Sequence, residues 1–173
     1  LAITASSQLY AQGTIRVLNT STTPGANFSA IVEIDSDQDI HGYSCVIAHD
    51  PSKLTLTSVT IDADLDVSTQ VGALDVQGGI EFFALVVYGN YGVAHTSFDL
   101  VPPATLQILP AGNNLSVARF HYTAANDPML VGTSTALTPE TGQGEPSQPN
   151  YIQLSSGQLA SPSLEAGLVN FVT

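Results

Sequence analysis

Positive charge is nearly missing from this 173-residue chain, which sets three Lys and Arg against fifteen Asp and Glu for a formal net charge of −12. Arg16, Lys53 and Arg119 cannot neutralise a row of phosphates, which argues against nucleic acid as a partner and against an anionic membrane surface. The polyanion suits a cationic or metal-bearing partner, or simply a soluble surface in a salty exterior. A single cysteine, Cys45, excludes an internal disulfide and any zinc site made of several cysteines. A β domain of this length needs no disulfide staples, so a secreted origin stays open. The longest apolar runs, such as "IEFFALVVY", fall far short of the roughly 20 residues of a membrane-spanning helix. The opening "LAITASSQLYAQG" has neither a basic n-region nor a Met, as a mature or trimmed N-terminus would.

Helical periodicity is also scarce. Instead, short runs rich in Val, Ile, Thr, Tyr and Phe are separated by Gly, Pro, Asn and Asp clusters, the grammar of an all-β sandwich. Strands are expected over 14–20, 27–35, 42–49, 54–61, 68–76, 79–88, 114–123, 132–138, 150–155 and 166–172. "TPGAN", "QGG" and "PAGNN" supply turn residues between them. Residues 1–13 read as an N-terminal extension or short extra strand, and 14–173 as one domain. Two connections are long. Residues 89–113 exceed a hairpin loop and carry a short strand at "TLQIL"; residues 139–149, "PETGQGEPSQP", are mobile by composition.

With these strands placed, "GYSCVIAHDPSKLTLTSV" (42–59) resembles the cohesin signature, in which a third strand of alternating apolar residues ends in Tyr-Asp-Pro before a Leu-rich fourth strand. Gly42, Asp50, Pro51, Leu54 and Val59 carry the match. "IRVLNTSTTPGANFSAIVEID" is similar to the family's first hairpin, "LPAGNNLSVARFHYTA" to its seventh strand, and "GQLASPSLEAGLVNFVT" to its terminal Gly-led strand. Departures are His49 where Tyr is usual, Cys45 where an aromatic is usual, and the long connection after 79–88. The resemblance covers about residues 14–173. It implies a jelly-roll β-sandwich of about nine strands, secreted or displayed at the cell surface. It also implies a non-catalytic module that docks a dockerin-type partner on the sheet face formed by strands eight, three, six and five, with calcium held by the dockerin.

Alternation suggests which residues form that face. In 42–49, Tyr43, Cys45, Ile47 and His49 share one side, expected toward the core, leaving a small outer surface at Ser44, Val46 and Ala48. The run 79–88 is apolar on both sides: Ile80, Phe82, Ala84, Val86 and Tyr88 on one, and Glu81, Phe83, Leu85 and Val87 on the other. A solvated antiparallel strand alternates with polar residues, so the second side needs a cover. The 89–113 connection, a second copy or dockerin-like partner, and tolerated exposure all remain open. Glu81, Phe83, Leu85 and Val87 are taken as the binding side, together with Ser44, Val46 and Ala48.

Other chemistry is thinner. Asp35, Asp37 and Asp39 alternate in "DSDQD" and are a candidate calcium cluster, but an EF-hand loop would need Gly and Glu where Ile40 and Val46 stand. Asp62, Asp64 and Asp66 form a second such run. His41, His49, His95 and His121 lack zinc-type pairing. Cys45, mid-strand among apolar neighbours, reads as a buried inert thiol. No G-x-S-x-G elbow or phosphate loop occurs, and the chain is taken as no enzyme. The alternative on the same architecture is a carbohydrate-binding module. Against it, Trp is absent and the tyrosines at 10, 43, 88, 91, 122 and 151 are dispersed, with Tyr88 and Tyr91 the one close pair.

Overall fold

The structure, a computed structural model, describes residues 12–61, 82–97, 109–144 and 147–173. The run expected over 68–76, the acids Asp62, Asp64 and Asp66, Glu81, and most of "TLQIL" lie outside the described residues. Thirteen strand segments stand among the described residues. They are β1 (Thr14–Val17), β2 (Thr20–Thr22), β3 (Asn27–Ser36), β4 (Ile40–Ala48), β5 (Leu54–Ile61), β6 (Phe82–Val87) and β7 (Tyr91–Ser97). Then follow β8 (Gly112–Ala124), β9 (Ser134–Pro139), β10 (Tyr151–Leu154), β11 (Leu159–Ala160), β12 (Ser163–Glu165) and β13 (Gly167–Phe171).

Two sheets stack face to face. One has the order β12-β1-β3-β8-β5; the other runs β11-β10-β4-β9-β13-β2, with β7 on the far edge of β4 and β6 beyond it. β1 and β2 are one stretch of chain that changes sheet at Leu18, whose N–H donates to the Ile31 carbonyl; β12 and β13 do the same at the other end of the sequence. These crossings close the sandwich. The Pro24-Gly25 turn places Gly25 at φ +78°, and Ala26 N–H donates back to the Thr23 carbonyl at 3.1 Å. That is the glycine position a type II turn requires.

The core follows from period two. On β3, Ala30, Val32 and Ile34 point inward, and on β8 Phe120, Tyr122 and Ala124 do. They meet Tyr43, Cys45 and Ile47 of β4, Leu137, Ile152, Leu154, Val169 and Phe171 from the opposite sheet in one continuous cluster. Each large side chain fully buried there contributes about 1.5–3 kcal/mol. The Tyr43 hydroxyl donates to the Val117 carbonyl at 2.8 Å, so this polar atom is not stranded in the core. Tyr43, Cys45 and Ile47 are thus inward as expected, and His49, also buried, packs edge-on against Tyr122 at 5.3 Å between ring centroids.

The largest departure from the sequence reading is β7. Residues 91–97 were expected to belong to a connection, yet they form a strand hydrogen-bonded on both edges, to β4 and to β6. Its sequence, "YGVAHTS", has little bulk because it is buried on both sides. A Cβ on Gly92 would lie 2.5 Å from Leu56 Cδ2 and 2.9 Å from Phe120 Cε1, so the opposing sheet leaves no room for a side chain.

Candidate functional site

The outer side of β10-β4-β7-β6 is where sequence and structure together leave apolar side chains without a second sheet. Register defines its rows. Tyr151 pairs with Ser44, Ser44 with His95, and His95 with Ala84; Val46 pairs with Val93 and Val93 with Val86. Ala48 pairs with Tyr91, and Tyr88 N–H donates to the Tyr91 carbonyl at 2.9 Å where the β6–β7 hairpin closes. Val46, Tyr91 and Val93 form a buried cluster of their own, separate from the core, with Ala48 and Val86 packed against it.

Part of this surface is covered by the segment after β9. The Glu140 N–H donates to the Val46 carbonyl at 2.9 Å, and Asn150 Oδ1 accepts from the Val46 N–H at 2.7 Å. Both serve one place. β10 pairs with β4 only up to Ser44, and β9 only from Ile47, so the edge of Val46 has no strand opposite it. The Asn150 side chain completes the ladder there, and the buried backbone N–H is satisfied. Gly142 and Gln148 exchange a turn hydrogen bond, as do Gln148 and Gln143. The described residues of the segment expected to be mobile by composition, 139–144 and 147–149, thus carry turn hydrogen bonds, and Gln148 reaches the β6–β7 surface.

This changes the standing of the predicted residues. Ser44, Val46 and Ala48 are on the outer side as expected, but Ser44 and Val46 are 1% and 0% exposed, and Ala48 is half-buried. They floor the face beneath Tyr91, Val93 and the Asn150 clip and do not form an open surface. On β6 the sides are reversed. Leu85, in register with Ala94, packs against the core, and Ala84, Val86 and Tyr88 face outward. The reason is the neighbour: β7 carries its core residue at Ala94 and its outer residues at Val93 and His95, and pairing imposes that phase on β6. Val87 shares the Leu85 side but is 41% exposed, because its partner Gly92 lies at the hairpin end. Phe83 pairs with Thr96. Tyr88, His95, Val93 and Tyr151 complete the outer face and were not proposed: Val93 and His95 lie on the missed β7, and Tyr88 is on the side of 79–88 that was not taken as the binding side.

The face carries no described acid or base other than His95. Its ring meets Tyr151 edge-on at 5.7 Å, with Tyr151 Oη 3.1 Å from Nδ1. Burial pushes the His95 pKa below its ordinary value, and raises that of Tyr151. Both are thus neutral near pH 7. Tyr88 and Tyr91 stack at 4.3 Å and 16°, with Tyr91 buried and Tyr88 42% exposed. Ala84, Val86, Tyr88, Val93, His95 and Gln148 surround a groove of about 270 Å³.

The remaining candidates separate from this face. Asp35 accepts from the Asn114 N–H and pairs with Arg16, which also lies near Glu33 and Glu165. Asp39 accepts from the Ala111 N–H at 2.9 Å. The three acids Asp35, Asp37 and Asp39 do not converge, and no group of three His, Cys, Asp or Glu that could hold a metal occurs among the described residues. Of the three candidate calcium ligands, Asp35 is thus engaged by Arg16 and a backbone N–H, and Asp39 by a backbone N–H. Cys45 is fully buried and desolvation pushes its thiol far up, so no thiolate is available. Of the tyrosines, Tyr43 and Tyr122 are core residues, and among the described residues no flat row of aromatics forms. No described helix is long and apolar enough to cross a membrane.

No family model and no curated protein matches the sequence. Solved structures do match. A chain of a type I cohesin–dockerin complex from Clostridium thermocellum superposes with a TM-score of 0.66 at 14% identity, over 93% of this chain and 99% of that one. This chain has the cohesin fold. A cohesin from Clostridium acetobutylicum aligns with a TM-score of 0.64 and 16% identity, over 94% of this chain and 92% of that one. A non-cellulosomal cohesin from the archaeon Archaeoglobus fulgidus aligns at 0.60 and 16%, over 94% of both chains. The superpositions thus cover 93–94% of this chain.

Proposed function

We propose that residues 14–173 form a non-catalytic, extracellular protein-binding module that docks a dockerin-type partner on the outer side of β10-β4-β7-β6. The observation that carries this reading is a sheet face that is uncharged among the described residues and largely apolar, on a chain of net charge −12. Its strand order supports the same face that the cohesin resemblance implies. β10, β4, β7 and β6 lie side by side in the order in which the family's strands eight, three, six and five would. The run 79–88 thereby takes the family's fifth position and β7 its sixth. Several of the superposed structures are cohesin–dockerin complexes.

Physics favours protein over sugar here. Apolar area withdrawn from water stabilises a complex by about 25 cal/mol per Å² before the costs of association are subtracted. A glycan surface would need a planar aromatic platform, whereas Tyr88 already gives one ring face to Tyr91. The decisive experiment is a pull-down of the dockerin domains encoded by the source genome, run beside a glycan array. Capture of a dockerin, lost on Tyr88→Asp, supports the reading. Glycan binding with no dockerin captured overturns it in favour of a carbohydrate-binding module.

A further inference from the structure

The outer face carries a groove of about 270 Å³ lined by Ala84, Val86, Tyr88, Val93, His95 and Gln148. Building on the docking reading above, we infer that this groove is the anchor pocket of the face and seats one uncharged aromatic side chain of the dockerin-type partner.

The concavity follows from the sequence. In the row Tyr151, Ser44, His95, Ala84, the last position holds the smallest side chain, and in the next row Val86 and Val93 rise beside it. Ala84 therefore leaves a gap that a larger residue would fill. One wall is the Tyr88 ring, held by its stack on the buried Tyr91, so the wall is already ordered and little side-chain freedom is lost on binding.

Size and charge then select the occupant. The volume lies below the roughly 300–1,000 Å³ of small-molecule sites, and matches a single side chain better than an oligosaccharide. None of the six lining residues is acidic or basic in the form present near pH 7. A charged group entering the groove would shed water and meet no counter-charge, which is costly. The walls are an aromatic ring on one side and an imidazole on the other, and aromatic pairs gain about 0.5–1.5 kcal/mol beyond the area they bury. Interface anchors elsewhere are most often aromatic residues in such central, desolvated pockets.

The test has two arms. In the first, methyl-labelled full chain is titrated with p-cresol, isobutanol and glucose while Ala84, Val86 and Val93 methyl resonances are followed by NMR. Saturable shifts confined to these methyls, several-fold tighter for p-cresol than for isobutanol and absent for glucose, support the proposal. Shifts scattered over the surface, or a preference for isobutanol or glucose, overturn it. In the second arm, affinity for a captured dockerin is compared among the parent chain, Ala84→Leu, which fills the groove, and Thr55→Arg on the other sheet. A tenfold or greater loss for Ala84→Leu alone supports the anchor pocket. Parent-like affinity of Ala84→Leu overturns the pocket and leaves docking standing. Methyl shifts with p-cresol and no dockerin captured keep the pocket's chemistry and overturn the dockerin reading alone. Tyr88→Ala, which removes the wall at an exposed site, serves as the second variant should Ala84→Leu lose its dispersed spectrum.

Discussion

The two outer faces of this sandwich obey the same alternation and end in opposite states. On the five-stranded sheet, Ser29, His121, Thr60 and Thr123 point outward and find hydrogen-bond partners. Ser29 Oγ lies 2.8 Å and Thr60 Oγ1 2.9 Å from the two ring nitrogens of His121, and Thr123 donates to Asn27 at 2.7 Å. On β10-β4-β7-β6, Val46, Val93 and Val86 take the equivalent positions, and Ser44 and Ser97 are buried with hydroxyls that have no hydrogen-bond partner. One face is finished in water; among the described residues the other is covered in part, through Asn150 and Gln148.

That contrast breaks most sharply under a change of charge. Val46→Asp puts an uncompensated carboxylate into the buried outer cluster and is expected to cost about 3–5 kcal/mol, whereas Thr55→Asp, exposed on β5, stays within about 0.5 kcal/mol; urea unfolding of the two variants measures both. Equal costs would mean that the faces do not differ. Asn150→Ala removes the acceptor of the Val46 N–H and is expected to cost about 1–3 kcal/mol. Hydrogen exchange at the Val46 amide should accelerate well beyond that of its neighbours. If it stays protected, the strand gap has another partner.

Acid should act next. Burial lowers the pKa of His49, against smaller opposing contributions from Gly89 and Asp50, and of His95. Each folded pKa lies below its unfolded value of about 6.5. The unfolded chain therefore binds more protons in that window, and stability is full above about pH 6.5 and falls as the pH drops toward the folded values. Thermal unfolding from pH 8 to 5 should show the decline, and His49→Phe should flatten it. A Tm that rises on acidification would contradict the burial of both rings. Smallest are the hydroxyl deletions. Ser29→Ala, which breaks the contact with His121, is expected to cost about 0.5–1.5 kcal/mol, and Ser44→Ala, which breaks none, close to nothing. Denaturation midpoints of the pair test this difference, and a reversed order would remove it.

Much of the sandwich was legible along the chain. The expected strand 54–61 is β5 residue for residue, 27–35 is β3 to within one residue, and the inward set Tyr43, Cys45 and Ile47 is the observed one. These elements announce themselves because one side is core and the other is polar, which period two displays directly. β7 was not legible, since a strand pressed between two neighbours and two layers keeps Gly92, Ala94 and Ser97 small and loses its apolar signature. The side of β6 was equally hidden: a run apolar on both sides has two readings, and only its pairing with Val93 and Ala94 chooses one.

Sequence alone determined the fold class, the acid excess and, with one cysteine, the exclusion of an internal disulfide, because composition and alternation are local properties. The resemblance in "GYSCVIAHDPSKLTLTSV" pointed to the cohesin fold that the superpositions bear out. Tertiary structure decided which apolar residues are core and which are surface. It placed Leu85 inside and Val86 outside, sank Val46 beneath an asparagine clip, and tied Asp35 to Arg16. Each of these depends on what lies across a strand pair or across the sheet gap, and those residues meet only once the chain has folded.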